Sequence, residues 1–151
     1  MDWRANLIES TDEVRAIAAA ARRVAVLGIK TEKQASQPAF YVAAALQRAG
    51  VEIVPVPVYY PEVREILGQP VVRRVVDAGF DLDIVDVFRR SEDVDGHLDD
   101  LLAARPRCVW LQSGIRNERV AEALARAGIR VVQDRCLMVE HRAGTARGPI
   151  S

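Results

Sequence analysis

Short apolar runs alternate with amphipathic segments along the chain. Five runs rich in valine, isoleucine and leucine predict buried strands, because each is four to six residues long and is bounded by turn-forming or polar residues. These strands are predicted at residues 23–28, 51–56, 83–88, 108–112 and 129–132. The segments that carry apolar residues on one face predict helices at residues 11–22, 38–49, 91–104 and 117–127.

The residues at the predicted helix ends are types that stabilise helix termini. Ser10, followed three residues later by Glu13, forms a capping-box pattern before the first helix. Pro38 suits the first turn of the second helix, where its missing N–H costs nothing. Ser91 and Asn117 are predicted to cap the two later helices.

Three stretches have a less regular pattern. Residues 61–67 predict a turn with about one helical turn, and residues 71–78 predict either a short helix or an extended segment. From Asp134 onward the chain is predicted to form a polar tail that ends in glycine, proline and serine.

The alternation of strands with helices predicts a parallel sheet that is covered on both faces. We therefore expect an α/β fold, a Rossmann-like doubly wound sheet of about five strands in three α/β/α layers, with the strand order 3-2-1-4-5. One domain is predicted over residues 1–151, with its core at about residues 12–142. Ligands of such sheets bind outside the carboxyl ends of the strands, so the loops there are the candidate site.

Composition narrows the possible partners. The 21 basic and 21 acidic residues give a formal net charge of zero, which argues against a nucleic-acid or anionic membrane partner. There is no apolar run long enough to span a bilayer and no signal-peptide pattern at the start. The two cysteines, Cys108 and Cys136, are typical of a reducing cytoplasm rather than of a disulfide scaffold. We expect a small-molecule ligand and no metal.

The loop after the first strand has two informative features. It lacks the G-x-G-x-x-G fingerprint of dinucleotide sites. It also holds Lys30 and Lys33, the only lysines among the 21 basic residues. These lysines, Thr31, Ser36 and the free amides of the helix at Pro38 would hold a diphosphate. The alternative is an ordinary solvated loop.

The loop after the second strand argues against NAD. A classical NAD site places an acidic residue at this strand end to bind the ribose, and none is present here. The turn at residues 55–60 is apolar and contains two prolines. It predicts one wall of an adenine slot, with Pro57 and Val58 as the candidate residues.

The third and fourth loops add further candidates. Phe88, Arg89 and Arg90 follow the third strand, and the arginines either reach a phosphate or pair with neighbouring acids at positions 86, 92 and 93. Gln112 and Gly114 follow the fourth strand, and the glycine permits close approach of the backbone to a ligand. His97 is predicted to be solvated, and Cys136 with His141 is predicted to serve packing rather than metal or thiol chemistry.

Four blocks of the sequence together resemble the small stand-alone CoA-binding proteins. These blocks are residues 24–28, 83–94, 109–118 and 134–141, within a resemblance that covers about residues 12–142. That family shares its Rossmann-like fold with the CoA-binding domain of the succinyl-CoA synthetase α-subunit. The resemblance implies that CoA is bound with its nucleotide half against the first two loops. It implies no reaction, because the other domains and the phosphohistidine segment of the synthetase have no counterpart here.

The first loop departs from the family pattern. Family members commonly have Gly-Ala-Ser after the strand and an arginine before the proline that opens the helix. Here the strand is followed by Gly28-Ile29-Lys30, and the residue before Pro38 is Gln37. A lysine of this loop would have to supply the missing positive charge.

The sequence thus predicts non-catalytic binding of coenzyme A or an acyl-CoA at the carboxyl ends of the strands. The two alternatives are an enzyme or enzyme subunit that acts on an acyl-CoA or another nucleotide, and a regulatory partner-binding protein that has lost the ligand. No catalytic residue is expected. The expected cofactor-binding residues are Gly28, Ile29, Lys30, Thr31, Lys33, Ser36, Pro38, Pro57, Val58, Phe88, Arg89, Arg90, Gln112 and Gly114.

Overall fold

A computed structural model describes residues 2–146. Its strands are β1 (Arg23–Leu27), β2 (Glu52–Val56), β3 (Glu65–Ile66), β4 (Gln69–Pro70), β5 (Ile84–Val87), β6 (Cys108–Leu111) and β7 (Arg130–Val132). Its α-helices are α1 (Thr11–Ala20), α2 (Pro38–Arg48), α3 (Leu98–Ala104), α4 (Glu118–Arg126) and α5 (Leu137–Ala146). Short 3-10 helices lie at Trp3–Asn6, Glu32–Gln34, Val75–Ala78 and Ser91–His97.

The central sheet has five parallel strands in the order β2-β1-β5-β6-β7. The predicted parallel α/β sheet is therefore confirmed, but the predicted strand order 3-2-1-4-5 is wrong. The third long strand, β5, pairs with β1 and leaves β2 at the edge of the sheet. Pro55 lies inside β2 and lacks an N–H, so it suits an edge strand and disfavours the interior position that the predicted order gave β2.

The segment between β2 and β5 contains a small antiparallel hairpin. β3 pairs with β4, and the two residues between them, Leu67 and Gly68, have φ angles of 55° and 71°. The predicted helical turn at residues 61–67 is therefore wrong. Leu67 is held in this conformation because its N–H donates to Glu32 Oε2 at 2.8 Å and its carbonyl accepts from Gln47 Nε2 at 2.8 Å.

Two apolar cores lie on the two faces of the sheet, which confirms the three-layer arrangement. On one face, α1, α2 and α5 contribute Val14, Ala43 and Leu137. On the other face, α3 and α4 contribute Leu101 and Leu124. Every residue of β5 and β6 is buried, as a strand covered on both sides requires.

Two of the three predicted side-chain caps are formed. The Ser10 hydroxyl accepts from Glu13 N at 3.4 Å, and Asn117 Oδ1 accepts from Val120 N at 3.0 Å. The predicted cap at Ser91 is wrong, because its hydroxyl accepts from the Arg116 N–H at 3.1 Å instead. Residues 91–97 form a 3-10 helix, and the α-helical part begins only at Leu98.

The chain after residue 134 is not a polar tail through residue 146, because α5 packs there against α1 and α2. The prediction failed because two of the three buried positions of α5, Glu140 and His141, are polar. Glu140 forms an ion pair with Arg15 of α1 at 3.3 Å. The last part of the predicted tail, residues 147–151, lies outside the described residues.

Candidate functional site

A cavity of about 660 Å³ opens at the carboxyl ends of the strands. It lies where the strand order reverses between β1 and β5, the position at which doubly wound sheets bind ligands. Its volume is within the range of cofactor pockets. The residues that line it are Gly28, Lys30, Gln37, Pro38, Ala39, Val58, Tyr59, Tyr60, Phe88, Arg89, Arg90, Ser91, Glu92, Ser113, Gly114 and Ile115.

Gly28 joins the two central loops of this cavity. Its φ angle is 87°, and a Cβ atom at this position would lie 2.3 Å from the Phe88 carbonyl oxygen. Nearby, the Phe88 N–H donates to the Leu27 carbonyl at 2.8 Å. Glycine is therefore required because two protein backbones approach closely. A side chain at residue 28 would disturb the fold itself.

The first loop separates its two lysines. Lys30 lines the cavity, and its ammonium donates to Gln37 Oε1. Lys33 lies on the exposed surface of the Glu32–Gln34 turn, outside the cavity lining. The turn itself is fixed by the Thr31 hydroxyl, which donates to Gln34 Oε1 at 2.7 Å. Only Lys30 is thus directed to the place where an anionic ligand would enter.

The amino end of α2 faces the same cavity. Its first residues, Pro38 and Ala39, line the cavity, and the preceding Gln37 makes no side-chain cap hydrogen bond. The first turn of α2 contains no acidic residue. The positive end of the helix dipole is therefore not neutralised by the helix's own side chains and favours an anion at this position.

Arg89 is held by groups from two segments of the chain. Its Nε donates to His97 Nε2 at 3.2 Å, and a terminal nitrogen donates to the Tyr59 hydroxyl at 3.4 Å. The guanidinium carbon lies 5.6 Å from the centre of the Tyr59 ring. Asp93 Oδ2 is 3.8 Å from the other terminal nitrogen. The side chain is only 17% exposed, so the guanidinium is fixed at the cavity wall.

Arg90 is far more exposed than Arg89. Its Nε donates to Asp93 Oδ2 at 3.0 Å and lies 3.8 Å from Glu92 Oε1. The pairing of both arginines with neighbouring acids, which the sequence left open, is therefore present for the carboxylates of residues 92 and 93. The exposed pair of Arg90 with Glu92 is weak in water and leaves Arg90 able to exchange partners.

Asp86 takes no part in that pairing. Its side chain is fully buried on β5, and neither carboxylate oxygen has a hydrogen-bond partner among the described residues. Its neighbours across the sheet are Val26 and Trp110, which belong to the apolar core on the α1 face. Burial raises the pKa of the Asp86 carboxyl well above its ordinary value.

His97 is half-buried rather than solvated, which corrects the prediction. It lies at the end of the Ser91–His97 turn, where its ring nitrogen accepts from Arg89. Burial is the main cause that lowers the pKa of His97, and the nearby Arg89 charge lowers it further. Asp100 and Asp93 act in the opposite direction.

The structure brings most of the predicted binding residues together. Those that line the cavity are Gly28, Lys30, Pro38, Val58, Phe88, Arg89, Arg90 and Gly114. Those outside the lining are Ile29, Thr31, Lys33, Ser36, Pro57 and Gln112. Ile29 and Pro57 are buried, and Gln112 Oε1 instead accepts from the Leu137 N–H at the start of α5, at 3.0 Å.

Two tyrosines of the cavity wall were missed from the sequence. Tyr59 and Tyr60 follow the proline-containing turn after β2, and their rings meet edge to face at 6.4 Å. Tyr59 is 62% exposed. Because only 5% of the chain is aromatic, two adjacent tyrosines after a strand end were a usable signal.

The cysteines lie outside the cavity lining. Cys108 is fully buried in β6, where burial raises the pKa of its thiol to about 12. Cys136 is half-buried and packs against the core on the α1 face. Among residues 2–146, no group of three or more acidic, histidine or cysteine side chains has a geometry that would hold a metal ion. Within the same part of the chain, every helix is too short or too polar to span a bilayer.

Comparisons with known proteins agree with this architecture. The sequence model of the family described as CoA binding domain matches residues 22–142. The uncharacterized protein YneT of Bacillus subtilis (strain 168) is 33% identical over 132 residues, which are 87% of this chain and 94% of that protein. The structure of cell-free ID.343 from Thermus thermophilus is 41% identical with a TM-score of 0.80, over 90% of this chain and 99% of that one.

A larger protein contains a similar domain. The apo form of the dinucleotide-forming acetyl-coenzyme A synthetase 1 of Ca. Korarchaeum cryptofilum is 25% identical with a TM-score of 0.58. The similarity covers 72% of this chain but only 25% of that one. The resemblance predicted from the four sequence blocks is therefore confirmed, and the chain belongs to the CoA binding domain family.

Proposed function

We propose that this protein binds coenzyme A or an acyl-CoA in the cavity between β1 and β5, without catalysing a reaction on it. The observation that carries the proposal is the convergence of Lys30, Arg89 and the uncapped amino end of α2 on one cavity at the strand-order reversal. A diphosphate is the ligand group that suits such a site, because it is compact and strongly anionic.

Lys30 is the residue that supports the proposal of CoA binding in spite of the altered first loop. Family members commonly carry an arginine at the position of Gln37, and here the Lys30 ammonium lies beside the Gln37 side chain and bonds to it. The positive charge of Lys30 thus lies next to residue 37, although it comes from a different position in the sequence. Gln37 is uncharged, so the ammonium keeps its charge available for a phosphate.

The rest of the cavity suits the other parts of CoA. Val58 and the two tyrosines offer an apolar and aromatic wall for the adenine, in keeping with the slot that the proline-containing turn predicts. Glu92, the carboxylate among the lining residues, lies within ion-pair distance of Arg90. Within residues 2–146, the lining thus holds one carboxylate rather than a pair with divided acid and base roles, which supports a binding role. Two free thiols support a reducing compartment such as the cytoplasm.

The test is calorimetric titration of the purified protein with CoA, NAD and ATP. CoA should bind with micromolar affinity, on the order of −8 kcal/mol, and NAD far more weakly. Lys30→Ala should weaken CoA by about 1–3 kcal/mol, the scale of a hydrogen bond to a charged group. Lys33→Ala is the matched comparison, because this exposed lysine of the same loop lies outside the cavity, and its loss should be smaller.

Three outcomes would contradict the proposal. NAD binding equal to or tighter than CoA would mean that the cavity is not specific for CoA. An unchanged CoA affinity in Lys30→Ala would show that the CoA phosphates do not bind at this loop. Turnover of an acyl-CoA, measured as the release of the free thiol, would show that the function is enzymatic and not passive binding.

A further inference from the structure

A histidine contacts the arginine that lines the cavity. Arg89 Nε donates to His97 Nε2 over 3.2 Å, and this contact links the loop after β5 to the end of the Ser91–His97 turn. His97 itself is absent from the cavity lining. Its effect on a ligand would therefore pass through Arg89.

The direction of this hydrogen bond fixes the state of the imidazole. A guanidinium has only N–H donors and no acceptor, so His97 Nε2 must be the unprotonated ring nitrogen. The proton of the neutral ring then lies on Nδ1. A protonated imidazole has two donors and no acceptor, so it cannot keep this contact. It would also place a second positive charge against the guanidinium.

We propose that neutral His97 is a positioning residue that holds Arg89 against the cavity, and that protonation of His97 releases Arg89 and weakens CoA binding. This inference rests on the proposed function, because it assigns Arg89 to the anionic part of CoA. Tyr59 and Asp93 contact the terminal nitrogens of the same guanidinium but not its Nε. His97 alone among these groups bonds to Nε, and imidazole is the side chain among them whose ordinary pKa lies nearest to neutral pH.

The charges around His97 decide where that titration occurs. Arg89 opposes protonation, whereas Asp93 and Asp100 favour it. Asp100 is already engaged, since its carboxylate accepts from Val75 N at 2.7 Å and from Val76 N at 2.9 Å. Together with burial, this arrangement keeps His97 neutral at pH 7 and lowers the pKa of its ring. The release of Arg89 is therefore expected below the ordinary imidazole pKa of about 6.5.

The contact is tested first without any ligand. Long-range ¹H–¹⁵N correlation spectra of the free protein distinguish imidazole tautomers, and the chain has only two histidines to assign. His97→Gln identifies the His97 signals, and His141 serves as the internal comparison. An unprotonated Nε2 on His97, with an Arg89 Nε–H signal that disappears as His97 titrates, supports the proposal. A proton on His97 Nε2 at pH 7 overturns it.

The effect on ligand binding is then measured by titrating CoA into wild type, His97→Gln, His97→Ala and Arg89→Ala between pH 5.5 and 8. Glutamine offers an amide oxygen to Arg89 at every pH, so it should bind CoA more tightly than the alanine variant. At pH 8, His97→Ala should bind about 3- to 10-fold more weakly than wild type, the scale of one hydrogen bond. At the acidic pH at which the ligand-free spectra show His97 protonated, wild type should lose affinity several-fold relative to His97→Gln. Titration of the CoA phosphate affects both proteins alike, so it cancels in the ratio of the wild-type affinity to the His97→Gln affinity.

Two results would overturn the positioning role. One is a wild-type to His97→Gln ratio that stays constant, or that favours wild type, in acidic solution. The other is an alanine variant that binds like wild type while Arg89→Ala loses affinity. If wild type binds no CoA at any pH, the proposed function is wrong, and so is the predicted effect of His97 on CoA binding. The spectra of the free protein still decide the Arg89 contact in that case.

Discussion

Replacing Asp86 with asparagine is expected to stabilise the protein at neutral and alkaline pH. Asp86 is fully buried on β5 among apolar neighbours, and within the described part of the chain neither of its oxygens has a hydrogen-bond partner. An ionised carboxylate there is strongly disfavoured, so the folded protein keeps this group protonated. Asparagine has nearly the same shape and is neutral at every pH. The two proteins should therefore differ in how their free energy of unfolding depends on pH.

The size and sign of this difference in stability between the two proteins follow from proton linkage. In the unfolded chain the Asp86 carboxyl ionises near its ordinary pKa of about 3.9, whereas burial raises the pKa in the folded state. Between these two values the folded state binds one more proton, so wild-type stability falls as pH rises. The loss relative to Asp86→Asn reaches about 1.4 kcal/mol per pH unit. It stops growing once the pH passes the folded-state pKa. The plateau therefore reports the shift in the pKa of Asp86.

Urea unfolding of both proteins, followed by circular dichroism from pH 4 to pH 9, measures this difference. The lowered pKa values of His97 and His141 make both proteins more stable as pH rises toward 6.5, and this contribution cancels in the comparison. The two stabilities should converge near pH 4 and separate above it. A constant difference over the whole range would refute the reasoning, because it would mean that Asp86 titrates alike in the folded and unfolded chains.

Two further predictions concern packing and thiol reactivity. Gly144→Ala should destabilise the protein by about 1–3 kcal/mol in urea unfolding, because its Cβ would lie 2.4 Å from a backbone carbonyl oxygen of α1. This steric clash outweighs the better helix propensity of alanine. Gly96→Ala is the control, since no atom of residues 2–146 lies within 4 Å of a Cβ there, and an equal loss in both variants would contradict the packing argument. In native protein at pH 8, iodoacetamide followed by mass spectrometry should modify half-buried Cys136 and spare buried Cys108, whose pKa is raised to about 12. Labelling of both thiols before unfolding would show that β6 opens.

The sequence predicted the long elements of the fold well, because their signals are local. Buried valine-rich runs and helix caps such as Asn117 depend on neighbours within a few residues, and the strands β1, β2, β5, β6 and β7 each lie within two residues of prediction. Strand order depends instead on contacts between distant segments. Pro55 was the local residue that could have indicated it, since it marks β2 as an edge strand.

Helix α5 and the contact between Arg89 and His97 were missed because neither gives a periodic hydrophobic pattern in the sequence. α5 buries Glu140 and His141, so its inward face does not stand out as apolar. Its place is set by the ion pair with Arg15 across the helix contact. At the site, the contact between Arg89 and His97 depends on a 3-10 turn between them, whereas an α-helix was predicted. Strand ends indicated which loops meet, but the side-chain partners within them are tertiary contacts.

On both sides of the sheet, a backbone carbonyl of the edge strand is hydrogen-bonded to another segment of the chain. At β2, Pro55 has no N–H, and its carbonyl accepts from Val72 N at 3.0 Å. At β7, the carbonyl of Val131 accepts from Ile8 N at 2.9 Å, in the segment that follows the first 3-10 turn. An exposed strand edge is a template on which further copies of a chain can add as new strands. The two hydrogen bonds and the missing N–H of Pro55 therefore disfavour edge-to-edge aggregation, while the cavity at the carboxyl ends of the strands stays open.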